Sequence, residues 1–287
     1  KASDIEQRLS VPGTDSKQLN QYRIVLCETL SDLLLTDPNT AAQTDAVGRL
    51  WKSCFYARIG PTRARIQKDK RKGNNVAQQE EGLLHFLLEG ITLYDFLCDK
   101  LQFKLLGMDE TQETQESSTQ PTTTTTTDGI VVCLHRLYVH LGDLYRYGHH
   151  LHKAEHAYGI AAKLGPGIGH AFNQLAVIHI KDNDKNAATG VYNYARALGA
   201  FEPFSTAASN LSRLFESNRE FLKEQHLGSV ILSNASRVFL AQFVDLAYTL
   251  FDKKNAEVDD QFYNHLGEAV SSFRQLLQNS AFGDALL

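Results

Sequence analysis

The chain has 287 residues, a net charge of −4 at pH 7 and 43% hydrophobic residues. That length suffices for one large or two ordinary domains with a sizeable core, and the acidic balance excludes bulk attraction to nucleic acid, leaving that task to local basic patches. No apolar run is long enough to cross a membrane, no signal-peptide pattern opens the chain, and Lys1 in place of Met predicts part of a longer protein.

Helical periodicity dominates, and strand signals are scarce. In LNQYRIVLCETLSDLLLTD, Leu19, Tyr22, Leu26, Leu30, Leu33 and Leu34 share one helical stripe. AVGRLWKSCFYARIG continues with Val47, Leu50, Trp51, Cys54 and Phe55. Gly60-Pro61 is expected to stop that helix, because proline has no N–H to donate and crowds the preceding turn. RARIQKDKRKGNN, from Arg63, is a basic run expected as the exposed end of a helix and its connection. EEGLLHFLLEGITLYDFLCDKLQFKLL, Glu80 to Leu106, reads as one long helix, rich enough in Leu and Phe to be buried on more than one face. Together these segments predict antiparallel helices of a bundle. Residues 107–129, GMDETQETQESSTQPTTTTTTDG, are almost wholly polar. Such a segment cannot bury enough apolar area to offset its ordering entropy, so a disordered loop is expected there. The four cysteines, Cys27, Cys54, Cys98 and Cys133, are widely spaced and form no C-x-x-C. That spacing predicts reduced thiols rather than a disulfide framework or a zinc site.

The stretch YVHLGDLYRYGHHLHKAEHAYGIAAKLGP, Tyr138 to Pro166, fits the tetratricopeptide template. Tyr138 stands for its Trp; Leu141, Gly142, Tyr145, Ala154, Tyr158, Ala161 and Pro166 follow at the template's spacing. One repeat later come Phe172, Leu175, Ala176, His179, Ala188, Tyr192 and Ala195. Small residues such as Gly142 and Ala176 let paired helices approach, and the aromatics fill the wedge between hairpins. Two complete hairpins are therefore predicted at about 137 to 164 and 170 to 199, followed by a helix from about Thr206. On the first helix, positions 139, 143 and 146 form an adjacent stripe that lines the concave groove of stacked hairpins. In the second repeat that stripe carries Asn173, Val177 and Ile180. Arg146 and Asn173 are thus expected in one concavity. Two readings of Arg146 are open: it pairs with Asp143 at i, i+3, or its planar donor fork holds an anion such as phosphate, with Tyr147 and Asn173 adding neutral donors.

GDLYRY resembles the G-D-x-x-R-Y helix of 14-3-3 proteins, whose Arg and Tyr hold a ligand's phosphoserine. More of the chain resembles the SMG/Est1-like factors of nonsense-mediated mRNA decay. The matching stretches are LWKSCFYARI, GITLYDFLC, CLHRLYVHLGDLYRY, AFNQLAVI and EPFSTAASNLSRLFE, in order along the chain. The resemblance implies an all-α fold. Residues 1–217 would be a 14-3-3-like helical bundle with tetratricopeptide-type hairpins, and residues 218–287 the start of a helical extension. It implies that the groove binds phosphorylated Ser/Thr segments of the decay RNA helicase. Arg146 and Tyr147 match the family's phosphate pair, and Asn173 and Asn210 match asparagines that hold a ligand's backbone. The family's phosphate-binding lysine, six residues past the Leu of L-W, is Tyr56 here. That departure fits the SMG-five branch and implies a weakened phosphate site and a heterodimer with the SMG-seven protein. Arg63 matches an Arg of the 14-3-3 relatives and would share a face with Tyr56 on a continuous helix, which the expected stop at Gly60-Pro61 interrupts. Arg58 points about 200° away. Partner contact is expected near Gly90 to Phe96, at Gly90 and Tyr94, where a small residue admits another backbone; packing within the chain is the alternative.

His152 and His156 have the i, i+4 spacing of a metal pair, but they flank a hairpin turn with His149 and His150, so solvated imidazoles are expected and no metal or cofactor. KLGPGIGH lacks the strand before it and the Lys-Ser/Thr after it that a phosphate loop needs. With no Ser/His/Asp or Cys/His arrangement, an enzyme is not expected. The sequence therefore predicts a cytoplasmic, non-enzymatic decay adaptor that pairs with an SMG-seven-type partner and binds phosphoserine segments weakly. The alternatives are a helical scaffold without phosphate recognition and a basic-patch RNA binder using Arg63 to Lys72.

Overall fold

The computed structural model describes residues 1–9, 16–112, 123–181, 187–227, 235–252 and 260–279. Among these residues every regular element is a helix, and one isolated parallel bridge joins Ile168 to Glu202. The chain divides into two compact units, Lys1–Pro166 and Gly167–Leu287. The boundary read from the sequence, 217/218, falls within a helix of the second unit.

The first unit contains α1 (Ala2–Leu9), α2 (Ser16–Thr36), α3 (Pro38–Gln43) and α4 (Ala46–Arg49), then a π-helical turn (Leu50–Tyr56), α5 (Ala57–Arg71), α6 (Ala77–Gln112), α7 (Thr123–Tyr147) and α8 (Leu151–Leu164). Leu26, Leu30 and Leu34 bury the stripe of α2. Asp37 caps α3 by accepting the Thr40 N–H at 3.1 Å, which satisfies a donor left over at the helix start.

The helix through Leu50 does not stop at Gly60-Pro61 as the sequence led us to expect; it continues to Arg71. Leu50, Cys54, Phe55 and Ile59 are all buried. Their recurrence every four to five residues is longer than the α-helical period, and i to i+5 bonding absorbs the excess. The Ala57 N–H accordingly reaches back to the Lys52 carbonyl. Pro61 removes one donor, which costs about 3 kcal/mol in a helix interior. Ile59 and Ile66, buried on either side of it, each recover about 1.5–3 kcal/mol. Burial thus outweighs the missing bond.

Helix α6 buries one face only, a second departure from expectation. Phe86, Leu87, Gly90, Tyr94, Leu97, Cys98 and Leu101 face inward. Leu84, Leu88, Phe96, Phe103 and Leu106, on the opposite side at 100° per residue, are exposed. Gly90 and Tyr94 lie on the inward face and pack within the chain. A Cβ on Gly90 would lie 3.1 Å from both Leu144 and Phe55. Tyr94 is 0% exposed, with the Phe55 ring edge-on at 5.6 Å.

The segment expected as a loop at 107–129 is helical at both ends, since α6 runs to Gln112 and α7 starts at Thr123; the rest of it, 113–122, lies outside the described residues. Threonine is a poor helix former, but Ile130 is buried and Gly129 packs directly on Asn39, so tertiary contact extends α7. α7 and α8 form the first predicted hairpin. Gly142 packs on the Tyr158 ring, and a Cβ there would collide with it. The His135 ring nitrogen lies 2.8 Å from the Ala161 carbonyl.

The second unit contains α9 (Gly169–Lys181), α10 (Ala187–Leu198), α11 (Ala207–Leu227), α12 (Ala235–Asp252) and α13 (Asp260–Asn279). α9 and α10 form the second predicted hairpin, with Ala176 buried and Gly190 against Ile180. α12 and α13 follow α11.

Candidate functional site

The π turn carries Trp51, and Trp51 organises the site. Its ring stacks on His140 of α7 at 4.7 Å and 9°, and lies nearly parallel to Tyr147 at 6.4 Å and 13°. Tyr94 meets Trp51 and His140 edge-on. Tyr56 lies 5.8 Å from Trp51, is 46% exposed, and rests over Gly60 at 3.6 Å from where a Cβ would sit. Because α5 continues through Pro61, Arg63 stays on the Tyr56 side of the helix. Its guanidinium carbon lies 4.1 Å from the centre of the Tyr147 ring, and that of Arg146 lies 4.6 Å from the same centre. Four expected residues, Tyr56, Arg63, Arg146 and Tyr147, therefore converge within the first unit. Arg58 instead stacks on Phe86 at 4.4 Å.

Both readings of Arg146 have a basis in its contacts. Its Nη2 donates to Asp143 Oδ1 at 2.8 Å and its Nε to the Tyr158 hydroxyl at 3.1 Å. Tyr158 in turn donates to Asp143 Oδ1 at 2.6 Å. These bonds fix the side chain without consuming every donor of its fork. The Arg146 side chain is 12% exposed. Burial alone would raise the pKa of the Asp143 carboxyl; the nearby His140 ring and the charge of Arg146 overcome it and hold the group at about 2. Burial opposes the Arg146 charge, yet Tyr158 and Asp143 raise its pKa above the ordinary arginine value. Burial also raises the pKa of Tyr147, so at neutral pH its hydroxyl keeps a proton to donate. The cluster thus places two cations on one aromatic ring that carries a neutral phenol hydroxyl.

Asn173 and Asn210 lie in the second unit and are joined to each other. Asn210 Nδ2 donates to Asn173 Oδ1 at 3.0 Å, and Asn173 is buried. Asn210 also lines a cavity of about 450 Å³ with Tyr194, Arg213, Ser217 and Phe221. His152 and His156 line a separate groove with Asp95, Tyr145 and Lys153, where Asp95 accepts from the Tyr145 hydroxyl at 3.1 Å. Sequence reasoning missed Trp51 as a site residue, reading it as one more apolar position of its helix; its stacking partners are far away in the chain.

A family model described as Telomerase activating protein Est1 matches residues 45–152, and one described as Est1 DNA/RNA binding domain matches residues 154–286. The chain belongs to the SMG/Est1-like family. The nonsense-mediated mRNA decay factor SMG7 of Danio rerio is 26% identical over 94% of this chain and 24% of its own length. Telomerase-binding protein EST1A of Danio rerio is 29% identical over 73% of this chain and 14% of its own length. A nonsense-mediated mRNA decay factor SMG7-like protein of Arabidopsis thaliana is 33% identical over 59% and 18%. This SMG/Est1-like chain therefore spans a quarter or less of these relatives. Among solved structures, a chain of the C. elegans SMG5-SMG7 complex matches with a TM-score of 0.56 at 16% identity, covering 93% of this chain and 63% of that one. That likeness establishes the all-α, 14-3-3-like fold with its tetratricopeptide-type hairpins.

Proposed function

We propose that this chain is a non-enzymatic adaptor of nonsense-mediated mRNA decay, acting in the cytoplasm. It pairs with an SMG7-type partner and takes a phosphorylated Ser/Thr segment, that of the decay RNA helicase, weakly. The observation that carries the phosphate reading is the convergence of Arg63 and Arg146 on the Tyr147 ring. A phosphate carries about −1.5 to −2 at neutral pH and needs more than one cation to offset its lost hydration. Tyr56, where the family's lysine would stand, supports weak rather than tight binding and the SMG5 branch. Asn173 and Asn210, joined within the second unit, offer amides suited to a peptide main chain. The relatives named as decay factors and the SMG5-SMG7 complex support the pathway and the kind of partner. The exposed apolar face of α6, with Leu88, Phe96 and Phe103, is the surface we assign to that partner.

The test is a titration with a Ser-Gln peptide, phosphorylated and unphosphorylated, across a range of salt. Phosphate-dependent binding is expected. Equal binding of both peptides, or none, favours a scaffold without phosphate recognition. A second reading, nucleic-acid binding, has its own support in the Est1 DNA/RNA binding domain model over residues 154–286 and in the exposed basic end of α5, with Arg65, Lys68, Lys70, Arg71 and Lys72. Binding of single-stranded RNA with a steep salt slope would favour it.

A further inference from the structure

Packing of α2 against the π turn brings two thiols together. The Cys54 sulfur lies 3.8 Å from the Arg23 carbonyl oxygen. Inside a helix that carbonyl accepts the N–H of the residue four positions on, here Cys27. The Cys54 sulfur therefore sits over the very turn of α2 that carries Cys27. Cys54 is buried and Cys27 is partly exposed. A cavity of about 1070 Å³ is lined by Cys54 together with Arg23, Lys52 and Arg58, which gives a small polar oxidant a way in.

The two sulfurs are chemically unequal. The neighbouring Cys54 thiol and the charge of Arg23 lower the pKa of Cys27 against the opposing effect of burial. The neighbouring Cys27 thiol, with burial, pushes Cys54 up. Thiolate character makes Cys27 the attacking sulfur and leaves Cys54 as the resolving one. Neither of the other thiols is in this position. Cys98 is pushed up by burial and nearby carboxylates, and Cys133 is pushed up to about 11 by burial.

We propose that Cys27 and Cys54 are a modification site, a thiol pair that a peroxide oxidises to a disulfide joining α2 to the π turn. The Cys27 thiolate attacks hydrogen peroxide: an S–O bond forms, the O–O bond breaks, and the departing hydroxide takes up a proton to become water. Cys54 then gives up its proton and its sulfur attacks the Cys27 sulfenic acid. The S–S bond forms, the S–O bond breaks, and the oxygen leaves as water. In sum, the thiol pair loses two electrons and two protons, and the peroxide is reduced to water. The inference does not depend on phosphate recognition.

The experiment treats the reduced full chain with hydrogen peroxide, alkylates the remaining thiols and maps tryptic peptides by mass spectrometry. The expected product joins peptides 24–49 and 53–58, which separate on reduction, while Cys98 and Cys133 are recovered alkylated. Trp51 is the only tryptophan and lies three residues from Cys54. Its fluorescence should therefore change on oxidation and return with a thiol reductant. Cys27→Ser should abolish the cross-link and the fluorescence change; because it leaves the buried Cys54 in place, it tests the pair even if Cys54→Ser fails to fold. Recovery of Cys27 and Cys54 on separate peptides, alkylated or individually over-oxidised, would overturn the proposal. So would cross-linking to Cys98, to Cys133 or between chains.

Discussion

The Arg63 guanidinium lies over the Tyr147 ring, its central carbon 4.1 Å from the ring centre. This contact depends on a helix that runs unbroken through Pro61. The ring is shared with Arg146, and the two arginines have different jobs. Arg146 is tied to Asp143 and Tyr158, so its substitution damages the fold locally as well as any ligand contact. Arg63 carries no such structural bond and is the cleaner probe.

Arg63→Ala should weaken phosphopeptide binding by about 1.5–3 kcal/mol, roughly ten- to a hundred-fold, the worth of a hydrogen bond to a charged group. The thermal midpoint of the first unit should move little, since one half-buried cation–π contact is worth about 0.5–2 kcal/mol. Fluorescence anisotropy with a labelled phosphopeptide reads the affinity. Unchanged affinity would remove Arg63 from the site. Arg146→Glu should abolish phosphate-dependent binding; affinity that survives it would favour the scaffold reading.

Tyr56→Lys should strengthen the same binding by roughly 1–3 kcal/mol if the new ammonium makes a charge-assisted bond. The exchange is structurally mild, because Tyr56 is nearly half exposed and its ring lies over Gly60, which offers no side chain to clash. A measured affinity equal to the parent's would mean that the ligand's phosphate does not reach this turn.

What the sequence made legible follows from spacing. Leu141, Gly142, Ala154, Tyr158 and Ala161 recur at the intervals a helical hairpin imposes; all five are buried, and Gly142 packs on Tyr158 inside that hairpin. The unbroken helix at Pro61 was hidden because it depends on the burial of Ile59 and Ile66 by other elements. The π turn was hidden because an apolar recurrence of four and then five residues also fits a loosely read α-helix. At Gly90 the sequence left two readings open for a related reason. A small residue on a bulky helix signals close approach, but not by whom; Phe55 and Leu144 are the answer. Trp51 reaches His140 and Tyr147 only through the tertiary fold, and no local pattern announces that.

The outward face of α6 gives a third prediction. Phe96→Asp and Phe103→Asp should each reduce co-purification with an SMG7-type partner while leaving the helical circular dichroism unchanged, since both side chains are exposed. Gly90→Glu should behave differently. With Phe55 and Leu144 at 3.1 Å from its added Cβ, it should lower stability by about 1–3 kcal/mol or more through overpacking. Partner binding that survives both phenylalanine changes would move the interface elsewhere.

The last prediction concerns acid. The Asp143 carboxyl is held at about 2 in the folded chain, against about 3.9 for an unperturbed Asp. A depressed folded pKa adds stability at pH values above the unfolded one. That contribution, about 2–3 kcal/mol, is lost progressively as pH falls from about 4 to about 2. Protonation in that window weakens the bonds from Arg146 and Tyr158 together, because both end on Oδ1. Asp143→Asn should therefore lose stability at neutral pH, on the order of 3 kcal/mol, since it leaves the guanidinium of Arg146 without its counter-charge. It should also show a shallower fall in stability between pH 4 and pH 2 than the parent. Urea unfolding followed by Trp51 fluorescence reports the first unit selectively, because Trp51 is the only tryptophan and stacks on His140 beside this carboxylate. A variant with the parent's stability and the parent's acid slope would mean that Asp143 does not hold Arg146 in place.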